Sequence, residues 1–94
     1  MRVDELEENT KVINLVGVIA SLEPMKTTPG GTDLQEGILS DESGQVRITF
    51  WAEQVGNFAV GDKIVINGWC KKFQEELQIS SGKHGKITKV PPVN

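Results

Sequence analysis

The sequence predicts an all-β domain, a small closed barrel of five strands with a short helical turn between the third and the fourth. Three observations lead there. Apolar and polar residues alternate with period two in several short runs, most clearly Val46, Ile48 and Phe50 against Arg47, Thr49 and Trp51. Glycine, proline and acidic turn residues punctuate those runs, and no internal repeat or low-complexity tract interrupts them. At 94 residues the chain can bury one modest core and no second one, so a single domain is expected.

The elements follow in order. Residues 13–23 read as a long first strand, with Gly17 marking a bulge or bend where a small barrel must curve. Pro24 and the stretch MKTTPGGT then form a loop, residues 25–32, before a second strand over 34–40. Asp41-Glu42-Ser43-Gly44 is a tight hairpin turn into the third strand, residues 45–51. The segment AEQVGNFAVGD lacks alternation and accommodates a helical turn, with Gly61-Asp62 leading into the fourth strand, 63–73. Gln74-Glu75-Glu76 turns the chain into a fifth strand, 77–81, and residues 86–90 add a short last one. This order is that of an OB barrel. Residues 1–10 read as an acidic extension, 11–90 as the OB domain, and 91–94, beginning Pro91-Pro92, as a linker-like tail of a module from a longer protein.

Composition removes several function classes. No apolar run approaches the roughly 20 residues of a membrane-spanning helix, and the acidic start MRVDELEENTK lacks the pattern of a secretory signal. A cytoplasmic location is expected. The single cysteine, Cys70, has no partner for a disulfide, and with one histidine, His84, no zinc set can be assembled. Cys70 shares parity with core isoleucines, Asp41 is a turn acid, and no acid pair has a recognisable partner. The reading is therefore of a protein that is not an enzyme and uses no metal or cofactor.

The net charge of −3 runs against a nucleic-acid partner, but its distribution does not. Asp4, Glu5, Glu7 and Glu8 crowd the amino terminus, whereas residues 63–94 hold six basic and two acidic side chains. On the third strand, an inward Val46, Ile48 and Phe50 places Arg47, Thr49 and Trp51 outside. On the fourth, Ile64, Ile66 and Cys70 share one parity and Asn67, Trp69, Lys71 and Phe73 the other. On the fifth, inward Leu77 and Ile79 leave Gln78 and Ser80 outward. A lone aromatic in a small β domain is usually core, and Phe50 and Phe58 are assigned there. Three at outward parity instead describe a groove of Trp51, Trp69 and Phe73, with Arg47, Lys71 and Lys72 at hand and Lys83 and Lys86 near one end. Rings and cations together hold single strands, because every base has a π face and every linkage a charge.

The run ILSDESGQVRITFW followed by VGDKIVINGWCKKFQEELQISSGKHGKI resembles the DNA-binding OB domains of archaeal single-stranded DNA-binding proteins and replication protein A. A strand ending in Asp, an acidic-Ser-Gly turn, a strand ending in Trp, a Gly-Asp step and a Leu-x-hydrophobic strand closing on Gly-basic-x-Gly are all present, and VINLVGVIASLEP is similar to the family's first strand. The resemblance spans about residues 10–90. It implies base stacking by Trp51, Trp69 and Phe73, cation contacts to phosphates, and a flexible wall formed by residues 25–32. Ser80 stands where relatives often carry a further aromatic, which implies weaker binding.

The expected function is non-catalytic binding of single-stranded DNA in replication, repair or recombination. The site residues are Arg47, Thr49, Trp51, Asn67, Trp69, Lys71, Lys72, Phe73, Gln78, Ser80, Lys83 and Lys86, and the further partners are other OB domains or subunits of a larger single-strand-binding protein. The alternatives are a protein-interaction OB module, in which the same aromatics pack on a subunit, and single-stranded RNA binding.

Overall fold

Alternation fixes which side of each strand is buried. In the computed structural model, which describes residues 1–82 and 85–91, Val46, Ile48 and Phe50 are buried together with Ile64, Ile66, Cys70 and Ile79. The described residues form β1 (Thr10–Leu22), β2 (Lys26–Thr27), β3 (Asp33–Asp41), β4 (Gly44–Trp51), β5 (Lys63–Phe73), β6 (Glu76–Ser80) and β7 (Lys86–Lys89). Five of these close on themselves in the order β1-β3-β4-β6-β5, with β5 returning to pair with β1. The β4–β6 contact is parallel, Arg47 beside Gln78 and Ile48 beside Ile79, and every other pairing is antiparallel. Closure removes the exposed edges of the five main strands. β2 and β7 are short additions on β3 and β5.

The helical element is reduced to one 3-10 turn, Ala52–Gln54. The apolar work of that segment falls to Phe58, whose ring lies 5.2 Å from that of Phe50. The turn at 58–62 is pinned to β7. Asp62 accepts from the Ala59 amide at 2.9 Å and pairs with Lys89 at 3.2 Å. These contacts hold its carboxyl below the ordinary range.

Gly17 has a different role from the bulge its sequence context suggests. It pairs in register with Ile64, and a Cβ there would lie 2.9 Å from the Leu39 side chain and the Ser40 carbonyl. Its missing side chain lets β3 approach. The irregularities of β1 fall on either side of it, between Val12 and Leu15 and between Ile19 and Ser21. At the first, Asn14 adopts φ 49°, which inserts one extra residue so that both Val12 and Leu15 point inward.

Residues 1–10, read from composition as an acidic extension, lie against the barrel. Val3–Glu5 form a 3-10 turn, and Val3 and Leu6 are part of the buried core. The Asp41 carboxylate anchors this segment. Its Oδ2 accepts from the Val3 amide at 2.8 Å, while Oδ1 accepts from the Ser43 amide and hydroxyl at 2.7 and 2.6 Å and from the Gly44 amide at 3.1 Å. Partial desolvation disfavours the anion. The Ser43 hydroxyl and the three amides outweigh it and lower the Asp41 pKa.

Two further loops have defined geometry, the first where the resemblance implies a flexible wall. Lys26 and Thr27 pair with Leu34 and Asp33, and the Thr28 amide donates to the Thr32 carbonyl at 2.9 Å, so the wall between β1 and β3 is a hairpin. The β5–β6 turn places Gln74 at φ 50° and Glu75 at φ 68°. That left-handed pair matches the twist of a two-residue hairpin but is normally filled by Asn-Gly.

Candidate nucleic-acid interface

Strand register arranges the outward residues of the barrel in rows. One row runs Ile38, Arg47, Gln78, Lys71 across β3, β4, β6 and β5. In the next, Ser80 of β6 stands beside Trp69 of β5, and Trp69 beside Lys11 of β1. Trp51 ends β4 beside Leu34, and Phe73 ends β5 beside Glu76. The outward parity read from the sequence holds for all three aromatics: Trp51 is 40%, Trp69 37% and Phe73 59% exposed.

They do not share one depression. Trp51 and Trp69 line a cleft with Thr49, Lys71, Gln78 and Ser80. Phe73 lies in a neighbouring one with Glu36, Arg47, Gln74, Glu76 and Gln78. Gln78 borders both. Thr49, 7% exposed, is floor rather than rim.

The short turn after β4 sets the position of Trp51. Ala52 at φ 54° bends the chain sharply. The Gln54 side chain then accepts from the Trp51 amide at 3.0 Å and donates to the Ser81 hydroxyl at 2.7 Å. The end of β4 is thereby tied to the end of β6, beneath the Trp51–Trp69 cleft.

The cations divide in a way that spacing does not disclose. Arg47 is held by three carboxylates, Glu23 at 3.0 Å, Glu36 at 3.3 Å and Glu76 at 3.9 Å. Its charge is thus locally compensated. Lys72 pairs in register with Leu77, which packs on the core, so it leaves the sheet on the side opposite Lys71 and meets Glu75 at 3.5 Å. It does not border the groove. Lys71 does. Lys86 stands beside Asn67, beyond Trp69, and Lys83 lies outside the described residues.

Asn67 has a structural task. Its Oδ1 accepts from the Asn14 amide at 2.9 Å and its Nδ2 donates to Asn14 Oδ1 at 3.1 Å, which fixes the β1 bulge. Lys11 beside Trp69, Leu34 beside Trp51 and the Glu36 carboxylate were missed from sequence. No local pattern marks them, because each is placed by strand pairing across the barrel.

Burial raises the Cys70 thiol above its ordinary pKa, so it stays protonated and unreactive. Among the described residues no group of three or more His, Cys, Asp or Glu could hold a metal, and no helix is long and apolar enough to cross a membrane.

A five-stranded barrel closed through a parallel β4–β6 contact, with aromatics and amides exposed on one curved face, is an OB-fold domain. Comparison with known proteins agrees. The chain is 30% identical over 90 residues to the single-stranded DNA binding protein Ssb of Saccharolobus solfataricus, an alignment covering 92% of this chain and 61% of that protein. It therefore spans less than two thirds of that relative. A crystal structure of a domain of replication protein A from Methanococcus maripaludis superposes with a TM-score of 0.76 at 25% identity, covering 95% of this chain and 97% of that one. The replication factor A related protein from Methanobacterium thermoautotrophicum has the same fold, TM-score 0.75 at 20% identity, covering 100% and 93%. No protein-family model matches the chain. The resemblance read from the residues stands: a domain of replication protein A is among its solved neighbours, and a single-stranded DNA binding protein is among its sequence relatives.

Proposed function

We propose that this domain binds single-stranded DNA without catalysis and serves replication, repair or recombination alongside other OB domains or subunits, in association with the nucleoid. One observation carries the reading. Two indoles border the same cleft, with Lys71, which forms no ion pair among the described residues, and the polar groups of Thr49, Gln78 and Ser80. Open rings offer a stacking surface to bases of any sequence, worth about 1–3 kcal/mol per base. Lys71 supplies the charge that meets a phosphate, and Phe73 adds a weaker stacking position. The name of the Saccharolobus relative supports the same ligand.

Oligothymidine titrated into the domain at low salt should quench the fluorescence of Trp51 and Trp69 in step with a rise in the label's anisotropy. Added salt should reverse both, since each phosphate contact releases counterions. Duplex DNA of the same length should bind far less well, because paired bases hide their faces. Equal duplex binding would exclude stacking as the main contribution. Salt-insensitive capture of a protein subunit by the same aromatics would replace this reading with an interaction module, and tighter binding of oligouridine would move the ligand to RNA.

A further inference from the structure

Trp69 is a wall shared by two clefts. On one side lies the Trp51 cleft. On the other, a wider one opens between β1 and the chain leaving β6, bordered by Lys11, Ile13, Asn67, Gly68, Gly82 and Gly85 as well as Trp69. This second cleft has a volume of about 560 Å³ against 150 Å³ for the first. Only the second falls in the range of about 300–1,000 Å³ usual for small-ligand sites.

The composition of its walls is informative. Gly68 and Gly85 have no room for a side chain: a Cβ on Gly68 would collide with the Ser80 carbonyl, and one on Gly85 with the carbonyls of Ser81 and Asn67. These close approaches pack the main chain of Gly68 and Gly85 against that of Asn67, Ser80 and Ser81 at the base of the cleft, with Val12 and Ser81 also in its lining. Ile13 lies beside the β1 bulge and is 57% exposed, an apolar edge of the cleft. The Asn14–Asn67 amide pair holds that bulge rigid. Lys11 stands directly across from Trp69, and Lys86 across from Asn67. Among the described residues neither forms an ion pair, and no carboxylate borders the cleft.

We propose that this cleft is a second nucleotide subsite. A single strand seated against Trp51 and Trp69 continues past Trp69, lays a further base over the Gly68–Gly85 floor against Ile13, and brings its phosphate to Lys11. The proposal rests on the single-strand reading above and extends the bound strand beyond it. Two observations name the occupant: the cleft shares Trp69 with the stacking cleft, and among the described residues the charged side chain that borders it is Lys11.

The test compares oligothymidines of about four and about ten nucleotides, spanning the low part of the range for one OB domain, on the wild-type domain and on Lys11→Glu, Ile13→Ser and Trp51→Ala. Lys11 and Ile13 are exposed, so their variants should fold. The longer oligomer should bind the wild type at least about fivefold more tightly, the lower end of one stacked base. Ile13→Ser should erase that gain and leave the shorter oligomer unaffected, Lys11→Glu should weaken the longer oligomer much more than the shorter, and Trp51→Ala should weaken both. Lys11→Ala should also lower the salt slope for the longer oligomer by about 0.7, one phosphate contact on a single strand. In NMR titrations the Asn67 side-chain amide and the Gly68 and Gly85 amides should shift only with the longer oligomer. Wild-type binding with no gain in length, or a Lys11→Glu loss equal at both lengths, overturns the subsite and leaves the Trp51 cleft standing. No binding at either length removes both.

Discussion

The two ends of the outward face are built from the same residue types and are electrostatic opposites. At one end Trp51 and Trp69 accompany Lys71, which has no carboxylate within ion-pairing distance among the described residues. At the other, Phe73 accompanies Arg47, enclosed by Glu23, Glu36 and Glu76. An aromatic and a cation are present in each case. What separates them is whether the cation is already satisfied. A guanidinium shared by three partly exposed carboxylates must give up those contacts before it can meet a phosphate, so the gain on exchange is small. On the proposed function, the strand is held at the Trp69 end and leaves the face at the Arg47 end.

Several substitutions would break or sharpen that contrast. The largest effect is expected from Trp69→Ala, which removes the wall of both clefts. Single-strand affinity should fall by one to two stacked bases, about 1–3 kcal/mol each, with little change in melting temperature. Titration followed by calorimetric melting separates the two, and a large drop in Tm would place Trp69 in the core. Next is the release of Arg47. Replacing Glu23, Glu36 and Glu76 together by glutamine should raise affinity by about threefold to tenfold at low salt and steepen the salt slope by about 0.7, as one cation is freed for one phosphate. If affinity is unchanged, the strand never reaches that end.

Phe73→Ala should cost about 1 kcal/mol or less of binding, at the bottom of the stacking range because its surroundings are acidic. Arg47→Ala should change affinity least of all, by no more than about twofold. A tenfold loss would reverse the assignment of the two ends. A pH experiment addresses the amino-terminal segment. The folded-state pKa of Asp41 is depressed, so its contribution is fully present above the unfolded value of about 3.9 and is lost as pH falls through the folded one. Acidification below about pH 4 should release residues 1–9 before the barrel melts, seen as loss of the Val3 amide signal by NMR, and Asp41→Asn should show the same release at neutral pH.

Much of this molecule was legible in its sequence because a strand has period two. Val46, Ile48 and Phe50 announce a buried face, and Arg47, Thr49 and Trp51 then have nowhere to go but out. The limits of β5 could be read directly for the same reason. Charge pairing could not be read this way. Glu23, Glu36 and Glu76 surround Arg47 from three different strands or loops, and only barrel closure brings them together. Lys72 was placed with Lys71 by adjacency, although neighbours along a strand face opposite ways, so strict alternation would have separated them. Val3 and Leu6 were hidden by acidic company. Their three-residue spacing, one turn of a tight helix, was the available signal. Asn14 gave none, since a bulge is recognised only by what lies across from it.

The Asp41 carboxylate, which joins the β3–β4 hairpin to the amino-terminal segment, also implies an order of events in folding. Its bonds to Ser43 and Gly44 close a loop of a few residues and can form as soon as the hairpin does. Its bond to the Val3 amide spans 38 positions, and the loop entropy of that contact is best met once β3 and β4 are already paired. The hairpin then acts as a template on which the first residues of the chain settle late. Local turn chemistry thus prepares a docking point for a distant segment, and mutations at Val3 or Leu6 should accelerate unfolding far more than they slow refolding.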